Sequence, residues 1–281
     1  MIIILTALAL QATLPATEDC FTVDGRTTCV VVPSASRERS VPLVIYLHGY
    51  GASGREDFFH LASRAEADGF LYAFPDGIAD ERGRRSWSST AYCCARTGPG
   101  GDDVAFLDRL IDETAERHRV DPRRIFVIGH SLGGFLAQQF ACAGAHELAA
   151  IASHAGALWK DPSRCRPASS PSVLLIHGDA DRVVSYEGGV GPRTVNAYSS
   201  AQETFQRWAG LAKCRPPKKV LPPAGFTAPA AGKETLRERF EACANGTGVE
   251  LWTMQGIGHM HVFNEAGTRA VWEFLLAHPR K

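Results

Sequence analysis

Residues 125–134 read Ile-Phe-Val-Ile-Gly-His-Ser-Leu-Gly-Gly, an apolar run that ends in Gly129-His130-Ser131-Leu132-Gly133 and passes into a helix-compatible stretch. A Gly-x-Ser-x-Gly pattern is common by itself. Placed directly after a strand and before a helix, it reads as a nucleophile elbow, a sharp turn that lifts a serine hydroxyl above a sheet. The glycines suit that turn, which strains the serine backbone and crowds the helix against the strand. An ordinary Gly-rich helix entry is the plainer alternative, and the preceding strand argues against it.

Working outward, short apolar runs recur at 41–47, 70–74, 149–153, 173–177 and 249–254. Such runs suit strands covered on both faces of a mostly parallel sheet. Amphipathic stretches at 54–68, 104–118, 132–142, 199–211 and 262–277 read as helices, the second capped by Asp102 or Asp103. The alternation predicts a doubly wound α/β sheet with its ligand site at the carboxyl ends of the strands. No repeat or interdomain linker interrupts it. The Pro/Gly-rich stretch 215–232 reads as an irregular excursion, which Cys214 and Cys243 are placed to staple.

A serine hydroxyl needs a base, and the base needs an orienting carboxylate. Both should follow at later strand ends. Gly178-Asp179-Ala180-Asp181 follows one strand, and Gln255-Gly256-Ile257-Gly258-His259 follows the last. Asp181 is the expected acid, with Asp179 as rival and more suited to bracing the turn. His259 is the expected base, with His261 as rival. Two backbone N–H donors should face the developing oxyanion: Leu132, after the nucleophile, and Tyr50, within His48-Gly49-Tyr50-Gly51. His130 should shape the substrate pocket beside the serine. Trp87 and Tyr92 are candidates to stack on a substrate ring, against a core role. His118, His146 and His278 read as surface residues, and His154 and His177 as strand-end residues. The short stretch between 153 and 173 leaves no room for a large lid, so the cleft should be open.

The chain has 281 residues with 30 Lys+Arg against 30 Asp+Glu, so no net field draws it to nucleic acid or an anionic membrane. A content of 45% hydrophobic and 21% charged residues excludes disorder and fits a globular protein. The apolar run 2–10, followed by Gln11-Ala12-Thr13, reads as a signal peptide over 1–12, leaving 13–281 as one catalytic domain. Nine residues are too few for a membrane-spanning helix, which needs about 20; a buried first strand is the alternative. Export makes disulfides the default for the eight cysteines. No CxxC spacing occurs, so no metal is expected. The segment Cys20–Cys29 is symmetric about Asp24-Gly25, a pair that favours a two-residue hairpin turn. That register sets Cys20 opposite Cys29 at a non-hydrogen-bonded site, where Cα atoms lie about 4.5 Å apart, within disulfide reach. Cys93, Cys94, Cys142 and Cys165 remain to pair in an open order. Adjacent Cys93 and Cys94 are expected to take different partners and so tie their loop near the nucleophile's helix.

The succession LHGYG, Trp87 with Cys93-Cys94, DDVAFLDRLID, DPRRIFVIGHSLGG, IHGDADRVVSYEGG, RWAGLAKC and VELWTMQGIGH resembles the secreted polyhydroxybutyrate depolymerase-like or LpqC-like esterases, which include feruloyl and acetylxylan esterases. The resemblance covers nearly the whole mature chain. It implies an α/β-hydrolase fold with Ser131, Asp181 and His259 as the triad. Met260, His261 and Val262 stand where a Trp-Pro pair is often found in that family, and Asp179 where Thr is common. The implied activity is ester hydrolysis through an acyl-enzyme, without cofactor. The substrate would be a small ester or one borne on a polysaccharide or polyester, and the enzyme an extracellular or periplasmic monomer without stable membrane association. An acyltransferase with the same triad, or a non-catalytic secreted binding protein, are the alternatives.

Overall fold

A computed structural model of the chain describes residues 16–87, 101–190, 197–228 and 232–281. Ten strands form its central sheet: β1 (Thr17–Val23), β2 (Arg26–Val32), β3 (Val41–Leu47), β4 (Leu71–Pro75), β5 (Val120–His130), β6 (Ala150–His154), β7 (Ser172–Gly178), β8 (Lys219–Ala224), β9 (Thr235–Phe240) and β10 (Val249–Met254). Their spatial order is β1-β2-β4-β3-β5-β6-β7-β10-β9-β8. From β4 to β10 every pairing is parallel, so these strands end on one edge of the sheet. Antiparallel hairpins, β1-β2 and β8-β9, close the two sides.

The apolar runs are continuous because the central strands are covered twice. Along β3, Leu43, Ile45 and Leu47 join one core, while Val44 and Tyr46 join the other; along β5, Ile125 and Val127 oppose Phe126 and Ile128 in the same way. The first core is packed by helices α2 (Asp103–Arg117), α3 (Leu132–Ala143) and α4 (Ala201–Leu211), through Leu110, Leu136, Phe140, Phe205 and Trp208. The second takes α1 (Ala65–Asp68) and α5 (Glu265–Leu276), through Ala65, Trp272 and Leu275. Each leucine or phenylalanine among them contributes about 1.5–3 kcal/mol on burial. Side-chain caps set the helix starts. Asp102 accepts the N–H groups of Val104 and Ala105 at 3.0 and 3.2 Å. Ser200 and Glu203 form a reciprocal capping box on α4.

Three expectations are corrected. The helix over 54–68 reduces to a 3-10 turn at Ala62–Arg64 and the single turn of α1. Asp57 captures the N–H groups of Phe59 and Ala62, and His60 sits at φ 55°, a left-handed break in any helix. The excursion 215–232 contains a strand, β8, and its partner β9 also escaped the sequence reading. The prolines of β8 lie on the outer strand of the sheet, where a missing N–H donor is tolerated, and β9 is too charged to show an apolar run. The third concerns the cysteines. Cys142 is bonded to Cys165, so neither is open to Cys93 or Cys94, which lie with Tyr92 outside the described residues. Cys20 joins Cys29 across the β1-β2 register with Cα atoms 4.1 Å apart, and Cys214 joins Cys243.

The β1-β2 hairpin is anchored to α2 by charge. Arg26 Nη1 meets Asp103 Oδ1 at 2.5 Å with both side chains buried, and the guanidinium lies over the Phe106 ring at 4.2 Å. Asp103 is the first residue of α2, where the helix dipole favours a carboxylate. Asp103→Ala would strand a buried guanidinium, and a loss of about 3–5 kcal/mol in unfolding free energy is expected. Urea denaturation followed by tryptophan fluorescence measures it; an unchanged midpoint would mean that the pair does not hold the hairpin.

Candidate active site

The turn between β5 and α3 is tight enough to dictate its residues. A Cβ on Gly129 would stand 2.2 Å from the Gly133 carbonyl oxygen, and one on Gly133 would stand 2.0 Å from the Leu47 carbonyl oxygen. Any side chain at either position forces the helix off the sheet. Between them Ser131 takes φ 55° and ψ −119°, with its N–H donated to the His154 carbonyl at 2.9 Å. That strained conformation costs about 1–3 kcal/mol. It turns the hydroxyl out of the helix that follows.

Ser131 Oγ lies 2.9 Å from His259 Nε2, and His259 Nδ1 lies 2.7 Å from Asp181 Oδ2. The three come from the ends of β5, β7 and β10, 128 residues apart at the extremes. Asp181 is buried. Burial alone raises its carboxyl, but hydrogen bonds from His177 and His259, and from the Val184 N–H, outweigh it and hold the group well below the ordinary carboxylate range. Its other oxygen accepts Val183 N–H and Val184 N–H at 2.8 and 2.9 Å. His177, which the sequence suggested only as a strand-end residue, gives its Nε2–H to the Val184 carbonyl at 2.8 Å and stands 3.5 Å from Asp181. Asp179 is outside this relay and accepts the Gly256 N–H at 2.6 Å, bracing the loop that carries His259. His261 lies beyond reach of the serine relay, on the cleft wall.

Facing Ser131 is the loop after β3. Gly49 lies against the serine, since a Cβ there would be 3.4 Å from Ser131 Cβ. Around it the N–H groups of Gly51 and Ala52 are engaged by Arg85 and Gly49 carbonyls, whereas those of Tyr50 and Leu132 are engaged by no described residue. His48 locks the loop: its Nδ1–H donates to Gly49 O at 2.7 Å and its Nε2 accepts the Gly77 N–H at 2.9 Å. Burial lowers the His48 pKa and keeps the ring neutral, as that accepting nitrogen requires. Trp87, expected to stack on substrate, has a different place. It is fully buried, its indole N–H donates to His48 O at 2.9 Å, and its ring packs on His48 and Phe106. The indole supports the oxyanion-facing loop from beneath and has no surface in the cleft.

The cleft above Ser131 has a volume of about 1070 Å³. Apolar walls come from Phe58, Phe135, Val184 and Tyr198, with Val183, Met260 and Val262 at 58%, 70% and 52% exposure on the rim. Sequence reasoning missed Phe58 because it lay inside an expected helix. The apolar pair Val183-Val184, two residues after the acid, was a usable signal. Among the described residues the one group of metal-ligating type is Glu18, Cys20 and Cys29, whose thiols are consumed in a disulfide.

Behind the serine lies a group of histidines. His130 stacks on Phe58 with centroids 3.9 Å apart, its Nδ1 is 2.7 Å from His154 Nδ1, and the His154 ring meets His261 edge-on at 4.7 Å. Burial lowers all three: His130 to about 3, His261 to about 4, and His154 well below its ordinary value. In the unfolded chain each titrates near pH 6.5. Below that pH the unfolded state therefore binds protons that the folded state refuses, so these groups destabilise the fold as pH falls toward about 4 and leave it unaffected above about 7. Asp181 adds its own loss only at pH below about 4, because its folded value is depressed. The melting temperature should drop between pH about 6.5 and 4 with net proton uptake on unfolding, measured by calorimetry in buffers of different ionisation enthalpy. A melting temperature flat across that window would show that these rings are charged in the folded protein.

The chain matches the alpha/beta hydrolase family over residues 44–272. It is 30% identical over 259 residues to Feruloyl esterase B of Piromyces equi, covering 89% of this chain and 45% of that protein. It is 32% identical over 234 residues to the putative esterase NocK of Nocardia uniformis subsp. tsuyamanensis, covering 78% of this chain and 64% of that protein. The chain thus spans only part of either relative. The solved acetyl xylan esterase from Aspergillus awamori shares the fold, with a TM-score of 0.68 at 15% identity over 93% of this chain and 99% of that one. The elbow, the sheet order and the family match converge: this chain is a member of the alpha/beta hydrolase family.

Proposed function

We propose that this protein is a secreted serine carboxylic-ester hydrolase that acts through an acyl-enzyme on feruloyl or acetyl esters, small or borne on a polysaccharide. The observation that carries this reading is the unbroken relay Asp181–His259–Ser131 on the floor of an open apolar cleft. His259, held by the ionised Asp181, takes the Ser131 proton as Oγ attacks the ester carbonyl. The Tyr50 and Leu132 N–H groups stabilise the tetrahedral oxyanion. His259 then passes its proton to the departing alcohol, and water, activated by the same imidazole, releases the acid. Every step uses the chain's own groups.

The aromatic wall of Phe58, Phe135 and Tyr198 suits an aryl acid, and relatives named feruloyl esterases support that choice. The exposed rim of Val183, Met260 and Val262 suits an ester presented on a polymer. Residues 1–12 serve as the export signal and 13–281 as the catalytic domain, a reading that the three disulfides among the described residues support.

On nitrophenyl acetate and a feruloyl ester, Ser131→Ala, His259→Ala and Asp181→Asn should each lower kcat by about 10⁴-fold or more while the proteins keep parental melting behaviour. Near-parental turnover by any of them would remove that residue from its role. Turnover of hydroxybutyrate oligomers well above that of both esters would redirect the substrate to a polyester.

A further inference from the structure

Only one proton can lie between His130 Nδ1 and His154 Nδ1, which are 2.7 Å apart with both rings buried. Which ring donates follows from the far side of His154. Its Nε2 is enclosed and has no hydrogen-bond partner among the described residues. A buried orphan N–H is rare and costly, whereas an unused lone pair is milder. The proton therefore sits on His154 Nδ1 and is donated to His130 Nδ1. His130, neutral because burial lowers its pKa to about 3, must then carry its own proton on Nε2.

That second nitrogen faces a different environment. The His130 ring lines the cleft, and its Nε2 is not among the enclosed unpartnered atoms, nor is it engaged by a described residue. The ring cannot swing away, being stacked on Phe58 at an interplanar angle of 8° and pinned by His154. Its centroid is 5.1 Å from that of His259. An N–H held there reaches substrate atoms close to the scissile carbonyl.

We propose that His130 Nε2–H is a fixed hydrogen-bond donor to the substrate that selects esters with an acceptor oxygen, hydroxyl or ether, close to the ester group over hydrocarbon esters of the same shape. This inference rests on the ester-hydrolase reading above. The described rings against His130 are Phe58, His154 and His259, and none of them accepts a hydrogen bond from its Nε2. A hydrocarbon ester would leave the donor desolvated and unpaired, and a site built on such a donor discriminates against it. His130 does not take the serine proton, because burial makes its ring a weak base and no carboxylate backs it, which leaves that role to His259.

The test compares isosteric esters that differ by one oxygen. In the acyl arm, nitrophenyl methoxyacetate is set against nitrophenyl butyrate; in the alcohol arm, the 2-methoxyethyl ester of an acid is set against its butyl ester. The preference in kcat/KM for the oxygen ester, divided by the same preference in His130→Phe, cancels intrinsic reactivity. It should be about three- to tenfold in one arm, which identifies the side that carries the oxygen. A quotient of one in both arms overturns the proposal. Because His130→Phe strands the His154 donor, the double variant His130→Phe/His154→Phe is measured beside it. Nitrogen NMR of the parental protein gives a readout independent of either variant: the proton should be found on His130 Nε2 and on His154 Nδ1 across neutral pH, and a proton on His154 Nε2 overturns the assignment. Hydrolysis that survives Ser131→Ala would remove the serine acyl-enzyme reading on which this inference rests, whereas Ser131-dependent hydrolysis without the oxygen preference removes only the role of His130.

Discussion

The Leu47 carbonyl oxygen and the first turn of α3 approach so closely that a Cβ on Gly133 would stand 2.0 Å away. This contact sets the height of α3 above β3 and β5, and the remaining geometry follows from it. With the helix so low, the chain leaving β5 can enter it only through a residue at positive φ, which is Ser131 at 55°. The same approach brings the loop after β3 against the serine, so Ser131 and the unengaged N–H groups of Tyr50 and Leu132 are positioned together. Strain of about 1–3 kcal/mol at the turn is outweighed by burial of Leu132, Phe135, Leu136 and Phe140 along α3, each contributing about 1.5–3 kcal/mol.

Burial acts on Asp181, His130 and His154 alike, and the hydrogen-bond partners decide its outcome. Asp181 receives Val183 N–H, Val184 N–H and the Nδ1–H of His259, with His177 close by, and stays ionised in a nearly dry setting. His130 and His154 have only each other, and both are held neutral. Proton traffic is thereby directed. Of the two imidazoles nearest the serine, only His259 has a carboxylate behind it, so in the proposed mechanism the serine proton has one destination although the His130 ring is 5.1 Å from the His259 ring. A second carboxylate near His130 would create a competing base.

Much of the frame was legible in sequence because it depends on local rules. Gly129 and Gly133 announce the elbow, apolar runs mark the doubly covered strands, and Asp24-Gly25 sets a register that brings Cys20 to Cys29. The serine, acid and histidine could be assigned by their order along strand ends, which a parallel sheet gathers on one edge. What escaped is tertiary in origin. No local signal shows that Asp57 will capture two backbone N–H groups and dissolve an expected helix, carrying Phe58 onto His130. Trp87 had an equal prospect of facing substrate or core, and only the position of His48 O decided for the core. The charged β9 strand carries no apolar period because its pairing with β10 needs none.

The two chemistries that hold the chain divide the molecule between them. The parallel centre is stabilised chiefly by burial on both faces. At the sides the sheet turns antiparallel and half exposed, and there disulfides take over: Cys20–Cys29 lies across the β1-β2 hairpin, and Cys214–Cys243 ties the end of α4 to the residues beyond β9. Cys142–Cys165 departs from this division, since it is buried and fastens the far end of α3 to the connection leading into β7 within the parallel centre. Crosslinks of these loop lengths restrict the unfolded chain by about 3 kcal/mol each in the entropic model. None reaches the cleft. Its walls at Val183, Met260 and Val262 are left to ordinary side-chain packing and to solvent, so the rim has room to adjust while the serine beneath it stays fixed by the Gly133 contact.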